Sequence, residues 1–319
     1  MSARPLVTVM IPTYAQAGFV EQAVESALAQ TWPNLEVIVC DDASPDDTVA
    51  RLARFTDARL RVVRNECNLG RVGNYRRLLH ELAGGDYVVN LDGDDYFRDP
   101  GFITEAMSFI ARDPECVLVA GHAATDEGGK DFGVTGSVRC LSGLRLLAEL
   151  PAAQQLMHMG VVYDRKRALA LDFYRSPAIS SDWESLYRLA TQGSVVLLDR
   201  CVGVWRQHGG NTTATAKLTQ QLDNLRIWAA IADAARAAGM AVWRVAWLRL
   251  CCEAHGLSAV CVACSREGAL AVPELLCRAW ATFGVRMLAW VLYLPATLRV
   301  VASLLGYYRW RHPAGEGRA

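Results

Sequence analysis

The chain has 319 residues, of which 52% are hydrophobic and 21% charged, the composition of an ordinary folded protein with room for one large domain and a smaller appendage. Lys+Arg and Asp+Glu balance at 33 each, so the basic surplus expected of a nucleic-acid-binding protein is missing. The balance conceals a gradient: residues 240–319 hold nine Lys/Arg against four Asp/Glu, and five of the nine tryptophans (Trp243, Trp247, Trp280, Trp290 and Trp310).

The opening MSARPLVTVMIPTY contains an apolar run of only Leu6–Ile11 with no small-residue cleavage site behind it, so it does not read as a secretory signal. That reading puts the chain in the cytoplasm and its ten cysteines in the thiol state. Cys251, Cys252, His255, Cys261 and Cys264 cluster in sequence, but without a second CxxC and among apolar helix formers; buried thiols explain them better than zinc.

Leu6–Ile11 is the first expected strand. Phe19–Gln30 repeats apolar residues at helical spacing, and Leu35–Cys40 is a second strand that runs into Asp41-Asp42. Ser44 then reads as the cap of a helix with Pro45 at its first position and Asp46 and Asp47 in its first turn. Strand Leu60–Val63, helix Arg71–Leu82, strand Tyr87–Leu91, helix Phe102–Arg112 and strand Val117–Ala120 follow. Residues 121–155 are Gly-rich and give no clear pattern. Ser181–Gln192 is helical, Val195–Leu198 and Gly203–Gln207 are two strands, and from Lys217 the pattern is helical, broken at Gly239, Gly256, Pro273 and Pro295.

Alternating strands and helices predict an α/β fold, a mainly parallel sheet flanked by helices in a Rossmann-like nucleotide-binding layout. Neither GxGxxG nor GxxxxGK[ST] is present, so a dinucleotide fingerprint and a P-loop are both absent. Acidic groups stand at the strand ends instead. Asp92-Gly-Asp94-Asp95 follows YVVNL, Asp41-Asp42 closes the second strand, and Pro12-Thr13-Tyr14 closes the first. Ligands in such sheets bind beyond the carboxyl ends of the strands. Carboxylates there suit Mg²⁺ or Mn²⁺ shared with a diphosphate. Each cluster alone also fits a polar turn or a helix cap; three on one edge favour a site.

VTVMIPTYAQ, SALAQTWPNLEVIVCDDASPDDT, RNECNLGRVGNYRRLL, GGDYVVNLDGDD, SSDWESLYRLA and VWRQHGGNTT occur in this order. Over about residues 5–213 they resemble a family 2 glycosyltransferase, an inverting enzyme of the GT-A fold, of the type that builds bacterial surface polysaccharide. The resemblance implies a GT-A domain over 1–215, with 216–319 left as a helical C-terminal region. It implies transfer of a sugar from a nucleotide diphosphate sugar, a UDP-sugar, to a hydroxyl of a glycan or lipid-linked acceptor. Asp42 would accept from the uracil edge, with Pro12 and Tyr14 walling the base pocket. Asp92 would face ribose and phosphates, while Asp94 and His208 would hold Mn²⁺ or Mg²⁺ with Asp95 in support. Asp182 would be the general base, although Ser181 departs from the acidic residue frequent before it. Glu184 is the fallback base on the same helix.

Two other classes compete. A sugar-1-phosphate nucleotidyltransferase would carry a basic, Gly-rich loop after the first strand, and PTYAQAG has no basic residue. A non-catalytic nucleotide-sugar-binding module would not need Asp92, Asp94, Asp182 and His208 together. In the tail, Met287–Leu298 is uncharged between Arg286 and Arg299. Twelve residues with Pro295 inside are too few to span a bilayer. The expectation is an interfacial helix holding the protein on the inner face of the cell membrane, with packing on the domain or a homodimer contact as the alternative.

Overall fold

The computed structural model describes residues 4–125, 136–150, 156–211 and 215–267, with a few further positions between 277 and 284. Two compact units are present: residues 1–146, 154–177 and 181–208 form the first, and 147–153, 178–180 and 209–319 the second. The apolar stretches at 287–298 and 300–308 lie outside the described residues. Among the described helices none is long and apolar enough to cross a membrane.

In the first unit the elements run β1 (Val7–Thr13), α1 (Val20–Leu28), β2 (Leu35–Asp41), α2 (Thr48–Leu52), β3 (Leu60–Arg64), α3 (Gly70–Arg77) with a π turn (Leu78–Leu82), β4 (Tyr87–Asn90), β5 (Tyr96–Phe97) and α4 (Phe102–Ile110). After them come β6 (Cys116–Thr125), β7 (Val138–Ser142), α5 (Gly143–Glu149, whose last three residues count with the second unit), β8 (Val161–Asp164), α6 (Arg165–Ala170), α7 (Ser181–Ala190) and β9 (Ser194–Trp205). The strands form one sheet in the order β3-β2-β1-β4-β8-β6-β9-β5, with β7 also paired to β9. Neighbours β3, β2, β1 and β4 are all parallel, as is the β6–β9 pair; β8 runs antiparallel between β4 and β6.

Every residue of β1 is buried, the mark of a parallel strand covered on both faces. Val7, Val9 and Ile11 pack with Val20, Ala23, Val24 and Ala27 of α1 and with Phe102, Ile103 and Ala106 of α4. The parallel half brings the ends of β1, β2 and β4 to one edge, with Thr13 opposite Asp41 and Met10 opposite Asn90.

Several expectations need correction. Ser44 does not cap a helix: α2 begins at Thr48, after Asp47. The Ser44 Oγ instead accepts from the Ala15 amide at 2.9 Å, Thr48 Oγ1 accepts from Gln16 N at 3.0 Å, and Asp46 Oδ2 accepts from Ala17 N at 3.1 Å. The polar residues that resemble a cap thus fasten the loop after β2 to the loop after β1. Both loops hold an alanine in the left-handed region, Ala15 at φ 53° and Ala43 at φ 59°.

Val195–Leu198 and Gly203–Gln207 are not two strands but parts of one, β9. Its polar middle, which reads as a turn, is answered across the sheet, by the segment before α4 and by α4: His122 meets Asp199 at 3.0 Å, and Arg200 pairs with Asp99 at 2.7 Å and Glu105 at 2.6 Å. The Gly-rich region holds the end of β6, then β7 and α5. Strand β8, only four residues long, has no counterpart among the elements expected from the sequence.

The second unit contains α8 (Leu218–Asn224), α9 (Ile227–Ala237) and α10 (Val242–Glu267). Leu218, Leu222 and Leu225 share a core with Ala254, Val260, Ala263 and Cys264. Gly239, at φ 94°, follows the end of α9 as a glycine should. Gly256 does not interrupt α10. A Cβ there would stand 2.3 Å from Leu225 Cδ2, so the glycine is the space into which that leucine packs. Val242, Trp243 and Trp247 are exposed at the start of α10.

Candidate functional site

The edge formed by β1, β2 and β4 collects most of the polar residues singled out in the sequence. Backbone bonds set the spacing: Asp42 N donates to Thr13 O at 2.9 Å, and Gly93 N donates to Pro12 O at 3.1 Å. The DGDD turn is therefore sewn to the end of β1. A Cβ on Gly93 would lie 2.5 Å from Gln16 Oε1 and 2.9 Å from Thr13 Cβ, so this close approach requires glycine. Pro12 is buried within β1, while Tyr14 just beyond it is 48% exposed.

Asp42 is buried, and its Oδ1 accepts from Asn65 Nδ2 at 2.6 Å and Leu69 N at 2.8 Å. Asn65 is itself gripped by Arg77. The neighbouring Asp41 is also buried; its Oδ2 accepts from Ser44 N at 3.1 Å and pairs with Arg64 at 3.4 Å, while Oδ1 has no hydrogen-bond partner.

Asp92, Asp94 and Asp95 each offer a carboxylate oxygen within 4.8 Å of the others, and they are the one such potential cation-binding group among the described residues. Each takes a donor from a different direction. Tyr75 Oη donates to Asp92 Oδ1 at 2.5 Å, His208 Nε2 meets Asp94 Oδ2 at 2.9 Å, and Arg206 N donates to Asp95 Oδ1 at 2.9 Å. Arg206 also donates to Asp94 O at 2.7 Å and lies over the rings of Phe19 and Tyr96. The His208 ring stacks on Phe19 at 5.0 Å.

Burial raises Asp92 above the usual carboxylate range, and the charge on Asp94 adds to it. Burial and then the charges of Asp92 and Asp94 push Asp95 up to about 9. Three carboxylates so close repel one another, and a hard divalent cation relieves that repulsion with the oxygen ligands it prefers. The donor set therefore fits Mg²⁺ or Mn²⁺.

Asp182 stands in the first turn of α7. Burial raises its carboxyl above the ordinary range, and Arg71 pulls it back. Arg71 is within electrostatic reach of both Asp182 and Asp92. Glu184, the fallback base, is otherwise engaged: it is buried and paired with Arg175 at 2.9 Å and Arg188 at 3.0 Å. Sequence reasoning missed Tyr75, Arg71, Arg206 and Phe19. Arg206 sits in the RQH segment and Tyr75 follows Arg71 by one helical turn, a spacing that puts both on one face.

Residues 8–165 match the model of glycosyl transferase family 2. Among relatives, a UDP-Glc:alpha-D-GlcNAc-diphosphoundecaprenol beta-1,3-glucosyltransferase of Escherichia coli, WfaP, is 38% identical over 92 residues, which cover 29% of this chain and 36% of that protein. The chain thus spans about a third of that curated relative's length. Among solved structures, S. aureus TarS 1-349 in complex with UDP-GlcNAc superposes with a TM-score of 0.60 over 95% of this chain and 81% of its own, at 18% identity. Mannosyltransferase PcManGT from Pyrobaculum calidifontis, in complex with GDP-Man and Mn2+, gives 0.58 over 96% and 88%, at 17% identity. At these identities the likeness is one of fold, the GT-A fold.

Proposed function

Residues 8–165 of this chain belong to glycosyl transferase family 2, and from that premise we propose that the protein transfers a sugar from a UDP-sugar to a hydroxyl of a lipid-linked glycan, with inversion at the anomeric carbon. The observation that carries the proposal is the convergence of Asp92, Asp94 and Asp95 on one point at the edge of the sheet, with Asp182 and Asp92 both within electrostatic reach of Arg71. In this reading residues 1–215 are the catalytic domain and 216–319 its helical appendage.

Asp42 orients the uracil edge, and Pro12 and Tyr14 bound the base. Asp92 faces the ribose and phosphates. Asp94, with His208 beside it and Asp95 in support, holds Mn²⁺ or Mg²⁺. A divalent cation held there would supply positive charge to the departing diphosphate. Asp182 accepts the proton of the acceptor hydroxyl while the oxygen attacks from the opposite face, so one displacement suffices and no covalent sugar–enzyme species is needed. The Mn²⁺ and sugar-nucleotide complexes of the similar folds and the diphosphoundecaprenol-linked substrate in the relative's name support these choices of donor, cation and acceptor class.

A lipid-linked acceptor calls for a protein at a membrane surface. The exposed Val242, Trp243 and Trp247 and the basic excess of 240–319 suit an interface with anionic lipid. The testing experiment is a thermal-shift screen of UDP-, GDP- and dTDP-sugars with and without Mn²⁺. Stabilisation by a UDP-sugar that requires Mn²⁺ is expected; no stabilisation by any sugar nucleotide defeats the proposal.

A further inference from the structure

Of the three donors that orient the carboxylate cluster, two come from the segment Arg206–His208 at the end of β9. The third, Tyr75, comes from the middle of α3 and belongs to no motif that names a ligand. Its side chain is fully buried, and its hydroxyl reaches Asp92 Oδ1 at 2.5 Å.

The ring has little freedom to do otherwise. His158 meets it edge-on, with centroids 5.1 Å apart at 89°, and Tyr174 lies against it at 5.3 Å. The Arg71 guanidinium sits 5.1 Å from its centroid and donates to its hydroxyl at 3.2 Å. His158 is fixed in turn by a hydrogen bond between Nε2 and Tyr174 Oη at 2.9 Å, and Tyr174 Oη donates to Asn90 Oδ1 at 3.2 Å. The chain of contacts therefore runs from α3 through a buried aromatic layer to β4, the strand that delivers Asp92. A hydroxyl so placed can reach that carboxylate without losing side-chain entropy on binding.

We propose that Tyr75 is a positioning residue that fixes the Asp92 carboxylate in the orientation the cation and nucleotide sugar require. The inference rests on the transferase reading of the same cluster. The Asp92 oxygens lie within 4.8 Å of those of Asp94 and Asp95, so turning this carboxylate alters the oxygen set and the charge that a cation on Asp94 meets. Groups that hold such carboxylates from behind typically change metal affinity by about 10–100-fold when removed. Tyr75→Phe keeps the ring and its packing and deletes only the donor.

The experiment measures Mn²⁺ binding to the full chain by electron paramagnetic resonance of the free ion, for wild type, Tyr75→Phe and Tyr163→Phe. Tyr163 is an equally buried tyrosine whose hydroxyl donates to Asn90 at 3.2 Å, so its variant reports the general cost of losing a hydroxyl in this layer. Tyr75→Phe is expected to weaken Mn²⁺ binding by about tenfold or more, with the melting temperature close to that of Tyr163→Phe and with Mn²⁺ affinity unchanged in the latter. Equal Mn²⁺ affinity in Tyr75→Phe and wild type overturns the positioning role and leaves the transferase reading standing. An equal loss in both variants overturns it too, because the effect is then softening of the layer. A wild-type chain that takes up no Mn²⁺ defeats the metal reading and this inference with it.

Discussion

His208 and Asp94 are separated by 114 positions in the chain, yet Nε2 of one lies 2.9 Å from Oδ2 of the other. The end of β9 is thereby latched to the end of β4, next to Asp92 and Asp95. A cation entering the cluster meets a carboxylate whose direction is already set by an imidazole. Asp94→Ala removes both the proposed ligand and the latch. Mn²⁺-dependent UDP binding is expected to disappear, as isothermal calorimetry would read it; an undiminished Mn²⁺-dependent affinity rules out Asp94 as the ligand.

Asp182→Asn is expected to cut transfer by about 10²–10⁴-fold while UDP binding stays nearly intact. The wild-type pH profile carries a second signature. A base works ionised, so kcat/KM falls as pH drops through its pKa. Burial raises that pKa, which places the acid limb above the ordinary aspartate value of about 4. Arg71 opposes the rise, so Arg71→Ala moves the limb to still higher pH. An acid limb that persists in Asp182→Asn assigns the proton transfer to another group.

Glu184→Gln separates structure from chemistry. The buried carboxylate balances Arg188, itself 7% exposed, and Arg175, which is 46% exposed. Neutralising it leaves Arg188 without its counter-charge, a loss of about 3 kcal/mol in unfolding free energy that urea denaturation measures. Transfer per folded molecule is expected to hold. A folded, fully stable and inactive Glu184→Gln would instead make Glu184 the base.

Gly93→Ala tests the seam between the DGDD turn and β1. The added methyl group meets Thr13 Cβ at 2.9 Å, a backbone-anchored neighbour that cannot swing away, so the turn must lift. The expected result is weaker Mn²⁺-dependent UDP binding with a small change in melting temperature. Wild-type binding in this variant means that the turn tolerates displacement and the carboxylate geometry does not depend on the seam.

Removing residues 280–319 is expected to release the protein from vesicles of anionic lipid. Equal sedimentation of the two forms excludes the tail as the anchor and turns attention to Trp243 and Trp247.

The sequence was most legible where chemistry and periodicity coincide. β1, β2 and β4 show short, mostly apolar runs, and the acidic clusters that follow β2 and β4 are visible because nothing in a core calls for them. β8 was hidden because Val161–Asp164 is four residues long and pairs with strands distant in sequence, so no local pattern announces it. Asp199-Arg200-Cys201 resembles a turn until its partners His122, Asp99 and Glu105 are in place. Tyr75 is the hardest case. A buried aromatic on a helix looks like packing, and only the approach of Asp92, 17 positions later, gives its hydroxyl a purpose.

The stitching of Ala15, Gln16 and Ala17 to Ser44, Thr48 and Asp46 has a consequence for energetics. Ordering a loop on binding costs about 1–2 kcal/mol per residue of backbone freedom, and here that entropy is surrendered during folding. A nucleotide arriving at this edge finds a preorganised surface, so its contacts register as affinity instead of being spent on arranging the protein.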